Sequence, residues 1–203
     1  MLNEIFGVYF TLFLELWGGA FYLLNKIFFC CLERTRSEHR KLVYHKLAWI
    51  SYIVGVPPWV FVLALERNWI AAAVESGGIP SMIMGLLAYS KQKQKGRALD
   101  HFSKIATLAG VAISFYDIGG LFGFIQIVEI LLAMGFLLGT YFSAKGSVVG
   151  YYWLAFANLC CAYLTWIQGY AFLAGQQLIS ILFILDAILI RVKRSRKIHH
   201  LAG

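Results

Sequence analysis

The sequence is poor in charged residues, and this scarcity argues against a soluble fold. Only 14% of its 203 residues are Asp, Glu, Lys or Arg, whereas a soluble domain carries roughly a quarter. The 18 basic residues outnumber the 10 acidic ones, but they occur in short segments between apolar runs and form no basic face on a domain. This placement is typical of the positive-inside signals of membrane proteins. We therefore expect no nucleic-acid partner for the net charge of +8.

Motifs for metal binding, redox chemistry and catalysis are also lacking. The four cysteines form two adjacent pairs, Cys30/Cys31 and Cys160/Cys161, without the spacing of a zinc or redox motif. The five histidines lie in polar segments outside the apolar runs, where they cannot ligate a metal within the membrane. The sequence has no phosphate-binding Gly-rich loop and no Ser/His/Asp arrangement. We expect no enzyme, no metal and no cofactor.

Long apolar runs dominate what the sequence does contain. Hydrophobic residues make up 60% of the chain, and the mean hydropathy is +0.71. Apolar runs of about 20 residues are the signature of membrane-spanning helices. The sequence therefore predicts an all-α integral membrane protein with seven spans, approximately at 5–26, 46–65, 69–90, 102–118, 121–143, 149–168 and 170–190.

The basic residues predict how these spans are oriented. The segments after spans one, three, five and seven hold 17 of the 18 basic residues, and only Arg67 lies on the other side. Short loops rich in Lys and Arg stay in the cytoplasm. We therefore expect the N-terminus outside and the C-terminus inside. Lys26 is assigned to the end of the first span, and no Lys or Arg is expected deep within any span.

A faint internal repeat divides the single transmembrane domain. The matching segments and residues are 75–95 with 177–197, Glu15 with Glu129, and Trp49 with Trp153. Three spans per copy require one intervening helix if both copies are to have the same orientation. We therefore expect two parallel three-helix bundles joined by a linker helix, with a substrate site between them near the midplane. The predicted parts are repeat 1 at about 5–90, the linker at about 102–118, repeat 2 at about 121–190, and a basic cytoplasmic tail at 191–203.

Polar side chains within the spans are candidates for function because burying them in lipid is costly. Amides can hydrogen-bond the hydroxyls and carboxamides of an uncharged ligand, which makes Asn158, Gln176 and Gln177 candidates for binding one. Glu15 and Glu129 are explained equally well as protonated packing contacts between helices, and their role stays open.

Three features of the last two spans resemble those of a known family. They are Trp153-Leu-Ala-Phe-Ala-Asn158, Tyr163-Leu-Thr-Trp-Ile-Gln-Gly169, and Gln176-Gln177 before a basic tail. Together they resemble the nicotinamide riboside transporters of the PnuC type, which have a three-one-three helix arrangement similar to that of SWEET sugar facilitators. The resemblance implies that Trp153, Asn158 and Gln177 bind substrate, as Trp, Asn and Gln do in that family. We add Gln176, and Glu75 as the repeat partner of Gln177.

The resemblance implies facilitated uptake of a small vitamin-type solute, with nicotinamide riboside or a related nucleoside or vitamin precursor as the leading candidate. It also implies a multi-pass location in a cell membrane, the inner membrane of a bacterium. The expected partners are a small-molecule substrate and the lipid bilayer, and a homo-oligomer stays open. Two alternatives also stay open. One is a SWEET-like or proton-coupled carrier of another solute, with Glu75 as the coupling group. The other is a non-transporting membrane protein of the same fold.

Overall fold

The computed structural model describes residues 2–65, 69–88, 96–117 and 123–202, with side chains over 9–65, 72–88, 98–112 and 123–194. Within these ranges every regular element is an α-helix. The eight described helices are α1 (Leu2–Arg34), α2 (Glu38–Leu65), α3 (Trp69–Gly77), α4 (Ile79–Leu87), α5 (Gly96–Asp117), α6 (Phe124–Ala144), α7 (Val148–Ile167) and α8 (Ala171–Ala202).

Five helical segments are long and apolar enough to cross a membrane. They are Tyr9–Arg34, Glu38–Leu65, Phe124–Ala144, Val148–Ile167 and Ala171–Arg194. A shorter apolar stretch, Ala72–Leu87, covers most of α3 and α4. These lengths and compositions are those of a multi-pass membrane protein, which confirms the coarse prediction of the fold class.

The third predicted span, 69–90, is a pair of short helices instead of one. Helix α3 ends at Gly77 and α4 begins at Ile79, with Pro80 in its first turn. A proline is tolerated there because the N–H groups of a first turn have no partner within the helix. Gly78 lies between the two helices, and a Cβ added to it would lie 2.8 Å from the ring of Phe136 in α6. The missing side chain therefore allows the break to pack closely against α6.

Helices extend further than the predicted spans at one end. Helix α1 continues to Arg34, α2 already begins at Glu38, and α8 continues through the predicted basic tail to Ala202. His39 and His45, expected in a loop, lie in α2 instead. Hydropathy marks only the apolar part of a helix, whereas a helix continues through polar residues until a breaker stops it.

Seven of the eight described helices, all except α5, form a ring in chain order. Helix α1 contacts α2, α2 contacts α3 and α4, both of these contact α6, α6 contacts α7, α7 contacts α8, and α8 returns to α1. Helix α5 lies outside this ring, against α3, α4 and α6. A buried cluster that includes Trp49, Leu137, Leu154 and Ile184 fills part of the ring interior.

Ion pairs gather at one end of the ring, which we call the basic end and define by Arg34, Lys145 and Arg191. Arg34 Nε lies 2.8 Å from Asp186 Oδ2, and Arg191 joins α8 to α1. Lys145 joins the end of α6 to Asp100 near the start of α5, with 3.1 Å between Nζ and Oδ1. Burial acts to raise the pKa of Asp100, but hydrogen bonds from Lys145 and its other neighbours outweigh burial and lower this pKa.

Candidate functional site

A cavity of about 330 Å³ lies between the helices of the ring. This volume lies within the range of roughly 300–1,000 Å³ that is typical of small-molecule sites. Six helices contribute to its wall: α1, α2, α3, α6, α7 and α8. The wall includes Leu63, two residues before the end of α2, and Gln168, which directly follows α7. The cavity therefore extends from the ring interior towards the end opposite the basic end.

Aromatic rings form one continuous part of the wall. The ring of Tyr22 lies edge-on to Tyr52, with centroids 5.1 Å apart, and tilted against Trp59, with centroids 6.5 Å apart. Phe136 extends the row, with its centroid 5.9 Å from that of Tyr52. All four side chains line the cavity. Such rings can pack against a planar apolar group or, through their faces, against a cation.

Two carboxyl groups line the same cavity. Glu75 comes from α3 and Glu129 from α6. The hydroxyl of Tyr22 donates a hydrogen bond to Oε1 of Glu75, which ties α1 to α3 at the wall. Because both Tyr22 and Glu75 belong to the wall, this contact positions a carboxyl group directly beside the aromatic row.

Polar side chains along α7 form a stripe that faces the cavity. Asn158, Cys161, Thr165 and Gln168 all line it, and their spacing of three or four residues keeps them on one helix face. The amide nitrogen of Asn158 donates to the carbonyl oxygen of Leu154 at 2.6 Å. A carboxamide has a second N–H and an oxygen acceptor, which leaves Asn158 with capacity to bind a ligand.

Lys26 corrects the prediction that no basic residue lies deep within a span. Helix α1 continues for eight residues after Lys26. Lys26 itself is 3% exposed and lines the cavity. Its Nζ donates to Oδ1 of Asn25 at 2.9 Å and lies 4.4 Å from the ring centroid of Tyr52. The apolar residues 27–32 that follow prolong the helix beyond Lys26. The lysine therefore lies in the ring interior, in contact with Asn25 and Tyr52.

The structure brings together three of the five predicted site residues. Glu75, Asn158 and Gln177 line the cavity from α3, α7 and α8. Gln176 points elsewhere, and its Nε2 donates to the carbonyl oxygen of Gly19 at 2.5 Å. Trp153 lies outside the cavity wall and contacts Phe156, with ring centroids 6.1 Å apart.

Several residues of the cavity wall are not among those that the sequence analysis predicts. Tyr22 and Lys26 are four residues apart, and Tyr52 and Trp59 are seven apart, so each pair shares a helix face. The same spacing along α7 links Asn158 to the rest of its polar stripe. Helical periodicity from Asn158 could therefore have identified the α7 residues. Tyr52 and Trp59 have no such polar starting point, and their place in the wall depends on tertiary contacts.

Within the described residues, no group of three or more His, Cys, Asp or Glu side chains is arranged to hold a metal ion. The cysteines of both adjacent pairs are free thiols. Comparison of the chain with protein-family models, with curated proteins and with solved structures gives no match. The resemblance to the PnuC type therefore stays a prediction that rests on the quoted residues.

Proposed function

We propose that the chain is a membrane transporter that facilitates uptake of a small vitamin-type solute, with nicotinamide riboside or a related nucleoside or vitamin precursor as the leading candidate. One observation carries the proposal. A cavity of about 330 Å³ lies inside the helix ring, and Glu75, Asn158 and Gln177 line it from both halves of the chain.

The helix arrangement supports the two-bundle architecture that we propose with this function. Glu75 and Gln177 correspond in the internal repeat, and both line the same cavity. The ring consists of α1 to α4 from the first half and α6 to α8 from the second, with α5 outside it. Counting α3 and α4 as one crossing gives seven spans, with α5 as the linker helix.

The chemistry of the wall fits the proposed substrate class. Nicotinamide riboside has a planar, positively charged pyridinium ring, a carboxamide and sugar hydroxyls. The aromatic row beside Glu75 suits a planar cation. Asn158 and Gln177 supply amide groups that can exchange hydrogen bonds with hydroxyls and a carboxamide.

The two ends of the ring differ in a way that supports transport by alternating access. We propose that the basic end faces the cytoplasm of the cell, with the N-terminus outside, in the inner membrane of a bacterium. The cavity extends towards the opposite, outer end. At the basic end, ion pairs such as Arg191–Glu33 join α1 to α8. This arrangement corresponds to a state that receives solute from outside.

A second candidate is a proton-coupled carrier. The observation that favours it is Glu75, an acidic group on the cavity wall that accepts a hydrogen bond from Tyr22. A carboxyl group can couple transport to protons only if it becomes alternately wet and buried during the cycle. A non-transporting protein of the same fold has no comparable support, because its halves need no solute-sized cavity between them.

The proposal is tested by thermal unfolding of the purified chain with nicotinamide riboside, thiamine, riboflavin and simple sugars. A ligand that binds only the folded state raises the Tm. We expect a rise with nicotinamide riboside or a close analogue in the wild type and a smaller rise in Asn158→Ala. No rise with any of these solutes, for a folded wild-type protein, would argue against the proposed substrate class.

A further inference from the structure

We propose that Lys26 forms an anion subsite of the cavity and binds a carboxylate group of the solute. This inference rests on the proposed transport function and narrows its substrate class. The resemblance to the PnuC type does not involve Lys26. The sequence alone places this residue at the end of the first span.

The surroundings of Lys26 carry the proposal. Lys26 is 3% exposed and lines the cavity. An ammonium group has three N–H donors, and the contacts of Nζ are the amide oxygen of Asn25 and the ring of Tyr52. Both partners are uncharged. Among the described residues no ion pair joins Lys26 to a carboxylate.

Asn25 gives the subsite a fixed geometry. It is completely buried, and its Nδ2 donates to the carbonyl oxygen of Ala48 in α2 at 2.9 Å. This bond orients Oδ1 of Asn25 towards Lys26 and thereby holds the ammonium group against the wall of the cavity. A second helix thus positions Lys26, as expected of a built binding group.

A ligand carboxylate would supply the negative charge that no described ion pair gives Lys26. Burying a charged group without a counter-charge is costly, whereas a charge-assisted hydrogen bond to an anion offsets the loss of water. One ammonium group matches one negative charge. A dianion such as a phosphate monoester would bring a second negative charge to a wall on which, among the described residues, Lys26 is the only basic side chain. The chemistry therefore favours a monocarboxylate.

The proposed substrate class includes solutes of this kind. Nicotinamide riboside has a neutral carboxamide on its ring, and nicotinic acid riboside has a carboxylate at the same position. The acid is a zwitterion, whose ring can contact the aromatic row while its carboxylate binds Lys26. We infer that the acid member of such a pair binds more tightly than the amide.

The test measures the Kd of both ribosides, and of nicotinate and nicotinamide, with full-length protein in lipid nanodiscs. We expect the acid to bind at least 10-fold more tightly than the amide in the wild type, which corresponds to about 1.4 kcal/mol. In Lys26→Met the affinities of the acid and the amide should agree within twofold. Lys46→Met replaces an exposed lysine of α2 and should preserve the wild-type preference.

Thermal unfolding of the same variants separates binding from folding. Lys26→Met removes a buried amino group that has no ionic partner but also takes the donor from Oδ1 of Asn25, so its Tm should stay close to that of the wild type. Equal affinity for acid and amide in the wild type, no binding of any acid, or an acid preference that persists in Lys26→Met would overturn the subsite. Binding of the amide riboside without acid preference would overturn the subsite alone. Absence of binding by all four probes and of uptake of any vitamin-type solute would also contradict the transport function.

Discussion

Gln176 and Gln177 are neighbours in the sequence but have different surroundings, because successive residues of a helix point about 100° apart. Gln177 lines the cavity, whereas Gln176 donates to the carbonyl oxygen of Gly19 in α1. The pair therefore provides a matched test of the cavity. Both side chains are carboxamides in the same turn of α8, so the same substitution removes the same chemical group from two different environments.

Gln177→Ala and Asn158→Ala should each weaken solute binding by ~1–3 kcal/mol, the usual cost of a lost hydrogen bond that leaves a buried polar group unpaired. Gln176→Ala should lower the Tm, because the carbonyl of Gly19 loses its donor, but should leave solute affinity unchanged. Titration and thermal unfolding of the three variants distinguish these outcomes. Weaker binding in Gln176→Ala with normal affinity in Gln177→Ala would contradict the assignment.

Glu75 provides a test of proton coupling. Glu75→Gln keeps the shape of the side chain and an oxygen that can accept the hydrogen bond from Tyr22. We expect this variant to retain uptake of solute into proteoliposomes, with no accumulation against a gradient in either protein. An inward proton gradient that drives accumulation in the wild type but not in Glu75→Gln would instead identify a proton-coupled carrier.

At the level of single residues, polarity within an apolar run was the signal that pointed to part of the cavity wall. Glu75, Asn158 and Gln177 stand out as polar residues in apolar runs, and all three line the cavity. Lys26 was missed because hydropathy ends the first span at the lysine, although the helix continues to Arg34. The resemblance implies a substrate-binding role for Trp153, but this residue lies outside the cavity wall and contacts Phe156.

At the scale of the elements, the basic ends of α1 and α8 are joined by a network centred on Glu33. Its Oε1 accepts from Tyr151 at 3.1 Å and from Arg191 at 3.2 Å. The carbonyl oxygen of Glu33 accepts from Arg194 at 2.7 Å, and Arg191 also donates to the carbonyl oxygen of Gly146 between α6 and α7. Three parts of the ring therefore meet at one buried carboxylate.

Glu33→Gln should lower the free energy of unfolding by ~1–3 kcal/mol, because Arg191 and Tyr151 lose a charged acceptor in a mostly buried site. Lys41→Gln is the control. It breaks an exposed pair with Glu38 on the surface of α2, and such pairs contribute less than ~1 kcal/mol. Denaturant unfolding in detergent measures both variants. Equal loss of stability in the two would show that the Glu33 network does not hold the ring together.

Element boundaries could be predicted only where the sequence carries a local signal. Gln168-Gly169 separates α7 from α8 as expected, and Gly169 has a φ of +87°, which glycine adopts readily. The predicted boundary 66–68 and most of 117–120 lie outside the described residues. The break at Gly78 was missed because hydropathy does not change there, although Gly77-Gly78 and Pro80 are recognised helix breakers.

At the scale of the whole molecule, the charge distribution predicts the orientation of the bundle. Alkaline phosphatase, which is active only outside the cytoplasm, should be inactive when fused after Lys197 and active when fused within segment 66–68. Green fluorescent protein fused at the same positions should show the opposite pattern. Phosphatase activity after Lys197 would reverse the orientation and assign the basic end to the outside, against the positive-inside bias.

The cavity as a whole could not be predicted from the sequence, because it exists only where six helices meet. Polar residues in single spans indicated part of its wall, and the repeat indicated that both halves contribute. In the aromatic row, the contacts of Tyr22 with Tyr52 and Trp59 depend on how α1 packs against α2. That packing is a tertiary property which no local pattern encodes.

We propose that this cavity conducts a small vitamin-type solute across the membrane. Uptake of radiolabelled nicotinamide riboside and nicotinic acid riboside into proteoliposomes measures this conduction. We expect saturable entry of at least one riboside that stops at equal concentrations inside and outside. Uptake should fall in Asn158→Ala and Gln177→Ala but not in Gln176→Ala. Flux no faster than in protein-free liposomes for both ribosides, with folded protein in the membrane, would contradict this proposal.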